Sequence, residues 1–234
     1  MTWVVPPPRR FDPAVPEWMD RPGNDPALLR ADLTVLASIN RFLGGQAIPL
    51  HYLRRWPRPA SILDLATGGG DIPRALARWA RREQIPLRIT AVDGNPEILA
   101  IARERSRDYP EISFEQQNLL ALPYGVGSFD VVLNSLTLHH FSDDQAVAIL
   151  RRIGQIARVG YVVNDLRRRH LTIWVSRLLA RTIIRNPIAK FDAPASCERA
   201  FSVGEWRELV RRAALPAARV DGWRGYRLVI VGGP

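Results

Sequence analysis

The sequence predicts an α/β domain with a doubly wound, mostly parallel sheet, and three observations predict it. After Pro59, short β-type runs alternate with longer helical ones. The first of those strands, Ser61 to Leu65, runs into three glycines, Gly68 to Gly70, and then into a helix. The next strand ends on an acidic residue, Asp93. Strands separated by helices imply parallel pairing through right-handed crossovers, with helices on both sheet faces.

The elements follow in order. Residues 1–25 carry many prolines, including Pro6 to Pro8, and read as an irregular arm. Asp25 can cap a helix whose first turn holds Pro26 and whose apolar residues, Leu29, Leu33, Leu36, Ile39 and Leu43, keep helical spacing up to Gly44-Gly45. A second helical piece through Ile48, Leu50 and Leu53 closes a helical segment at 26–58. From residue 59 the reading is strand (61–65), helix (71–82), strand (87–92), helix (96–107) and strand (112–115). It continues with a strand (129–133), a helix (143–157), a strand (160–164), and a last helix and strand from Val203 and Tyr226. Ser202 with Glu205 forms a capping box, and Asn95-Pro96 opens a helix in a similar way.

A chain of 234 residues with 47% apolar content predicts one elaborated domain. The single cysteine, Cys197, has no partner for an internal disulfide and no flanking Cys or His for a metal site. The start of the chain lacks the apolar run of about 7–15 residues that a secretion signal needs. These features predict a cytoplasmic protein without metal. The net charge of +10 comes almost wholly from arginine. The arginines are scattered in pairs, as on solvated helix faces, and only Arg167 to Arg169 form a tight cluster.

Chemistry concentrates in the glycine loop. Glycines allow close backbone approach to a ligand, and the helix start beyond them offers free N–H groups and a positive dipole end. Asp93 lies 23 residues after Gly70, where an acid can accept hydrogen bonds from ribose hydroxyls. These features fit a nicotinamide dinucleotide or an S-adenosyl-L-methionine site. No acid/base pair for a nicotinamide follows Asp93, which disfavours the first.

Asp64-Leu-Ala-Thr-Gly-Gly-Gly70, Asp93, Asn118-Leu-Leu-Ala-Leu-Pro123 and Ser128-Phe-Asp-Val-Val-Leu-Asn134 together resemble the ordered motifs of class I S-adenosylmethionine-dependent methyltransferases. The resemblance implies a Rossmann-like, doubly wound, mostly parallel seven-stranded sheet. It also implies that Asp64, Ala66, Thr67, Gly68 and Gly70 surround the cofactor's methionine part, that Asp93 and Gly94 meet the ribose, and that Asn118 and Leu119 lie near the adenine, with Asn134 alongside. Asn118 replaces a common Asp. Ala66 replaces the first glycine, which requires a negative φ there. The usual Pro-Gly-Gly turn before the fifth strand is replaced by Ala157-Arg-Val-Gly160.

Leu136-Thr-Leu-His-His-Phe141, Val163-Asn-Asp-Leu-Arg-Arg168 and Phe191 to Phe201 resemble bacterial small-molecule methyltransferases akin to those of quinone and type III polyketide pathways. That resemblance implies a helical N-terminal lid, a helical cap inserted at about 166–200 in the domain at 59–234, and O-methylation of a phenolic, polyketide-like or quinone-precursor acceptor. His139 or His140 could take a phenolic proton, and Asp165 and Arg168 end the fifth strand at the ligand-binding edge of such sheets. The alternatives are an RNA or protein methyltransferase using the basic surface, or a cofactor-binding protein without chemistry. Asn134-Ser-Leu-Thr is not the Asn-Pro-Pro-Tyr type of amino-group motif, so nucleic acid is not expected. The expected partner is a small molecule, acting on a monomer or homodimer. Leu171 to Ile188 carries Arg177, Arg181 and Arg185 at four-residue spacing, with Trp174, Leu178 and Ile183 expected largely on the other side. Packing as a lid over the core is the simpler expectation, and peripheral membrane contact is the alternative for a lipidic acceptor.

Overall fold

The computed structural model describes residues 5–233, so the first four residues of the predicted arm lie outside the described residues. The rest of the arm is irregular apart from one turn of 3-10 helix at Trp18–Asp20. Two helices follow, α1 (Pro26–Phe42) and α2 (Ala47–Leu53). Asp25 caps α1 by accepting from Ala27 N and Leu28 N.

The sheet then forms as β1 (Ser61–Leu65), β2 (Arg88–Asp93), β3 (Ile112–Gln116), β4 (Phe129–Ser135), β5 (Ala157–Leu166), β6 (Arg219–Trp223) and β7 (Arg227–Gly232). The helices between are α3 (Asp71–Arg82), α4 (Pro96–Arg105), α5 (Asp143–Ile156), α6 (His170–Thr182), α7 (Pro187–Arg199) and α8 (Val203–Arg212). The strand order is β3-β2-β1-β4-β5-β7-β6, parallel from β3 to β5, with β7 antiparallel to both of its neighbours. The seven strands agree with the predicted fold. The strand that the residue pattern did not locate is β6, an exposed edge strand without a continuous apolar run.

Successive strand residues serve opposite faces, as the pleat requires. Leu63, Val132 and Val163 join a core under α5 and α8, while Ile62, Val131 and Val162 join a second core under α2 and α3. A third, smaller cluster ties α1 to α4 through Leu29, Leu33, Ile98 and Ile101. The missing turn before β5 has a simple cause: α5 ends at Ile156 and β5 begins at Ala157, with no residues between them. Gly160 is needed there, because a Cβ would come within 2.8 Å of the Trp56 ring.

The predicted cap at 166–200 is two helices, α6 and α7, separated at Asn186, which caps α7. The expected placement of Trp174 opposite the α6 arginines is corrected. Ser176 and Ala180, its two buried residues, are small, whereas Leu171, Trp174, Val175, Leu178 and Leu179 are exposed. At about 100° per residue, Trp174 falls roughly 20° from Arg181 and not opposite it. No described helix is long and apolar enough to cross a membrane.

One buried carboxylate registers two neighbouring strands. Asp130 on β4 accepts from Ala60 N at 2.8 Å and Ser61 N at 3.0 Å, and it pairs with Arg158. Burial pushes its carboxyl up, but the Arg158 hydrogen bond and the two N–H donors outweigh this and hold it below its ordinary value. A group with a lowered folded value stabilises above the ordinary carboxylate range, and that contribution is lost as pH falls through the lowered value. Asp130→Ala leaves two amides without an acceptor. Its urea midpoint should drop by the equivalent of about 1–3 kcal/mol at unchanged m, and this deficit should shrink in acid.

Candidate active site

A cavity of about 1480 Å³ opens at the carboxyl ends of the parallel strands. Its floor is the β1–α3 loop, β2's end and the loop after β4; its roof is the arm, α1, α6 and α7. One large continuous space holds both halves of the predicted site.

In the glycine loop, Gly68 N donates to Asp93 Oδ2 at 2.9 Å, and Asn95 N donates to Oδ1 at 3.0 Å. Asp93 is therefore fixed at the β2 end, and each oxygen keeps a lone pair for a further donor. Burial raises its pKa. Asp64 also lines the cavity; its Oδ2 is buried without a partner, and burial pushes the carboxyl up to about 7. An ammonium group would satisfy that orphaned oxygen. Thr67, Gly94, Asn118 and Leu119 line the same end. Asn118 Oδ1 caps the following turn by accepting from Leu120 N at 2.9 Å, which leaves its amide nitrogen for a ligand. These groups suit an amino-acid nucleoside: a free carboxylate for the amine, a fixed one for the ribose, and an amide near the base.

At this end the expected negative φ at Ala66 is corrected, and two predicted residues, Gly70 and Asn134, lie outside the cavity lining. Ala66 lines the cavity but has φ 55°, not negative. The chain must bend there so that Thr67 N can donate back to Val92 O at 2.9 Å. Gly70 does not line the cavity; it is the left-handed turn residue before α3 (φ 70°), and Gly69 faces the space instead. Asn134 is fully buried off the cavity, and its amide donates to Leu65 O at 3.0 Å, cross-tying β4 to β1.

At the other end, the chain after β4 makes a 3-10 turn at Leu138–His140. Asp165 at the end of β5 accepts from His139 N at 3.1 Å, Leu166 N at 2.7 Å and, at 2.6 Å, His139 Nδ1. Burial pushes Asp165 up, yet His139 outweighs this and holds its carboxyl below the ordinary value. Asp165 does not itself line the cavity, which makes it a positioning residue, while both histidines do line it. His140 Nδ1 lies 2.9 Å from Asp20 Oδ2, and Glu17 Oε2 lies 3.8 Å from its Nε2. Burial lowers the His140 pKa, but Glu17 and Asp20 outweigh this and raise it to about 9.

Arg168 is the remaining correction. Its backbone N–H donates to Phe201 O, and its side chain lies off the cavity, where it donates to Pro7 O, Ala200 O and Glu205. Arg169, next in the cluster, lines the cavity.

The residue pattern did not reveal the acids of the roof. Glu17 is 2% exposed, accepts from Ser196 Oγ and lies 3.6 Å from Arg199 Nη1. Asp192 accepts from Trp18 N and Met19 N, which pins the arm, and Asp32 faces the cavity with Oδ1 unpartnered. Burial first, then mutual repulsion, pushes Asp32 up to about 7; burial pushes Asp192 up to about 6. Glu17, His139 and His140 bring one ligand-type atom each within 4.8 Å of one another, but Glu17 is already engaged by Ser196 and Arg199.

Two predictions follow from this geometry. An L-residue in the left-handed region costs about 1–2 kcal/mol that glycine avoids, so Ala66→Gly should raise the thermal midpoint by a few degrees. The raised His140 pKa means that its contribution to stability is complete below about 6.5 and lost as pH rises through about 9. Urea midpoints of the parent should therefore fall across that window relative to His140→Gln, and equal slopes in the two proteins would refute the pairing.

Residues 62–160 match a family described as a methyltransferase domain. Over 87 residues the chain is 37% identical to a 2-phytyl-1,4-naphtoquinone methyltransferase of Thermosynechococcus vestitus, covering 37% of each chain. Over 103 residues it is 35% identical to a demethylmenaquinone methyltransferase of Thermotoga maritima, covering 42% of each. The chain thus spans about two fifths of the length of these curated relatives. Among solved structures it resembles a SAM-dependent methyltransferase from Aquifex aeolicus (TM-score 0.59, 16% identity, 95% of this chain and 98% of that one). It also resembles human N-acetylserotonin methyltransferase in complex with SAM (TM-score 0.65, 15% identity, 90% of this chain and 57% of that one). Residues 62–160 are a methyltransferase domain, set in a chain with the fold of S-adenosylmethionine-dependent methyltransferases.

Proposed function

We propose that the protein transfers a methyl group from S-adenosyl-L-methionine to an oxygen of a small, uncharged phenolic or quinone-precursor acceptor. The observation that carries this reading is His139, held by Asp165 at 2.6 Å and lining the same cavity as Asp93 and the glycine loop. Asp93 would hold the ribose, Asp64 the amino group, and Asn118 the base. When bound, the cofactor supplies an electrophilic methyl on a sulfonium, and displacement there needs little more than a positioned nucleophile and the exclusion of water.

His139 supplies the nucleophile's activation. Its Nδ1 is held by Asp165, so Nε2 is the nitrogen that can take the phenolic proton as the new O–C bond forms. His140, held protonated at neutral pH between Glu17 and Asp20, cannot act as that base and can donate to the acceptor. The acids of the roof argue for a neutral acceptor. Glu17, Asp20, Asp32 and Asp192 disfavour a carboxylate, whereas the hydroxyl and carbonyl groups of a neutral acceptor can hydrogen-bond there. The roof encloses the acceptor end, which favours a small molecule over a nucleic acid or protein. The names of the relatives, both quinone methyltransferases, support the same acceptor class.

Calorimetric titration with S-adenosylmethionine should give binding that Asp93→Ala weakens more than tenfold. Absence of binding by the parent would overturn the cofactor assignment. With phenolic acceptors, His139→Ala should keep cofactor affinity and lose about 10²–10⁴ in kcat. Asp165→Asn should lower kcat while leaving KM and cofactor affinity near the parent values, because it misorients the base without touching either ligand.

A further inference from the structure

The outward side of α6 is a surface that the methyltransferase reading does not use. At about 100° per residue, Leu171, Val175, Leu178 and Thr182 fall in one sector of roughly 60°. That sector points to solvent: Leu171 is 62% exposed and Leu178 43% exposed; Trp174, about 40° to one side of it, is 62% exposed, and Ile183, just past the helix, is 68% exposed. The side turned to α7 carries the small residues Ser176 and Ala180. A helix that hides small polar and alanine residues while exposing leucine and tryptophan is inverted relative to an ordinary surface helix.

The charges beside it complement one kind of partner. Arg181 and Arg185 border this face, both exposed and neither in an ion pair among the described residues. Arg177 is also exposed and pairs with Glu198. No acidic residue occurs between Asp165 and Asp192, so the whole of α6 carries only positive charge. The face is also continuous with the cavity. Leu171, Val175, Leu179 and Ile183 line the cavity wall as well as the surface, and Leu43, at the end of α1, lines the same cavity and is also exposed. The cavity exceeds the 300–1,000 Å³ or so of a pocket for one ligand.

We propose that α6 docks the protein on an anionic membrane surface, with its apolar face in the headgroup boundary, its arginines on lipid phosphates and the cavity mouth facing the bilayer. Trp174 supplies the amphipathic ring that prefers this boundary, and the arginines supply attraction that an uncharged bilayer lacks. An acceptor with an alkyl or isoprenoid tail then reaches the cavity along Val175, Leu179 and Ile183 without crossing water. The docking does not depend on the methyl-transfer reading, since the surface would bind lipid whatever the cavity holds.

Sedimentation with vesicles tests it. The parent should partition onto equimolar phosphatidylcholine and phosphatidylglycerol vesicles much more strongly than onto phosphatidylcholine alone, and salt should weaken the binding. Trp174→Glu with Leu178→Glu should reduce the partition more than tenfold. Arg181→Glu with Arg185→Glu should reduce it by at least about fivefold per charge. All four positions are exposed, and an unchanged thermal midpoint shows that the variants are folded. Binding that ignores lipid charge, or that the substitutions leave intact, overturns the proposal. So does a parent that is dimeric without lipid and becomes monomeric on Trp174→Glu, since a second copy would then be what covers the face. Methylation of a short-chain phenol in solution, unchanged in these variants, keeps this test separate from that of the active site.

Discussion

Asp165 is the constraint on which the acceptor end of the molecule depends. A carboxylate buried at 1% exposure costs several kcal/mol unless donors surround it. Three donors reach it here: the amides of His139 and Leu166 and the His139 ring. Two of the three come from the turn after β4, so the price of burying the charge is that this turn must sit against β5. The imidazole orientation is a consequence. With Nδ1 committed to Asp165, the ring presents Nε2 toward the arm, 3.7 Å from Glu17 Oε1, and the adjacent His140 is placed where Glu17 and Asp20 can meet it.

The roof is held by parts of the chain far apart in sequence, and polar contacts join the apolar α1–α4 cluster in setting its position. Asn40 and Gln46 in the N-terminal segment donate to Asp71 at the start of α3, at 3.3 and 3.1 Å. Arg227 on β7 donates to Asn164 on β5 at 2.6 Å and reaches Asn40 at 3.4 Å. Arg9 reaches across to the carbonyl of Phe141 and to Asp143, and Asp192 pins residues 18 and 19. Such directional contacts fix where a segment lies, and each leaves a buried group unpaired if it is lost. The arm is therefore part of the site's wall although it has almost no regular structure.

What could be read from the residues divides along the range of the forces involved. β1, α3, the Ser202–Glu205 capping box and the Asp93 position were legible, because each rests on local periodicity, capping or a turn of fixed length. The inside and outside of α6 were not, because an amphipathic stripe says which side is apolar and not which side has a neighbour. Arg168 and Arg169 are adjacent and chemically identical, and only long-range partners, Pro7, Ala200 and Glu205 for the Arg168 side chain, distinguish the one that turns away from the cavity. Glu17 and Asp20 lie more than a hundred residues from the histidines they face, with no local signal to join them. At Ala66 the local rule failed outright: a tertiary demand, the bond from Thr67 to Val92, overrode the conformational preference of an L-residue.

The distribution of charge ties these features together. The chain carries +10 overall, yet its cavity is lined by Glu17, Asp20, Asp32, Asp64, Asp93 and Asp192. Burial pushes Asp32 and Asp64 up to about 7, so at neutral pH part of this acidity is stored as bound protons, and it pushes Asp93 and Asp192 in the same direction. A cation entering such a space favours the ionised carboxylates and displaces those protons, whereas an anion meets repulsion from the acids that stay charged. Outside, the arginines reverse the preference and draw the protein toward negative surfaces. A sulfonium or ammonium group suits the acidic part of the interior and an anionic surface suits the exterior, and α6 lies between the two at the mouth of the cavity.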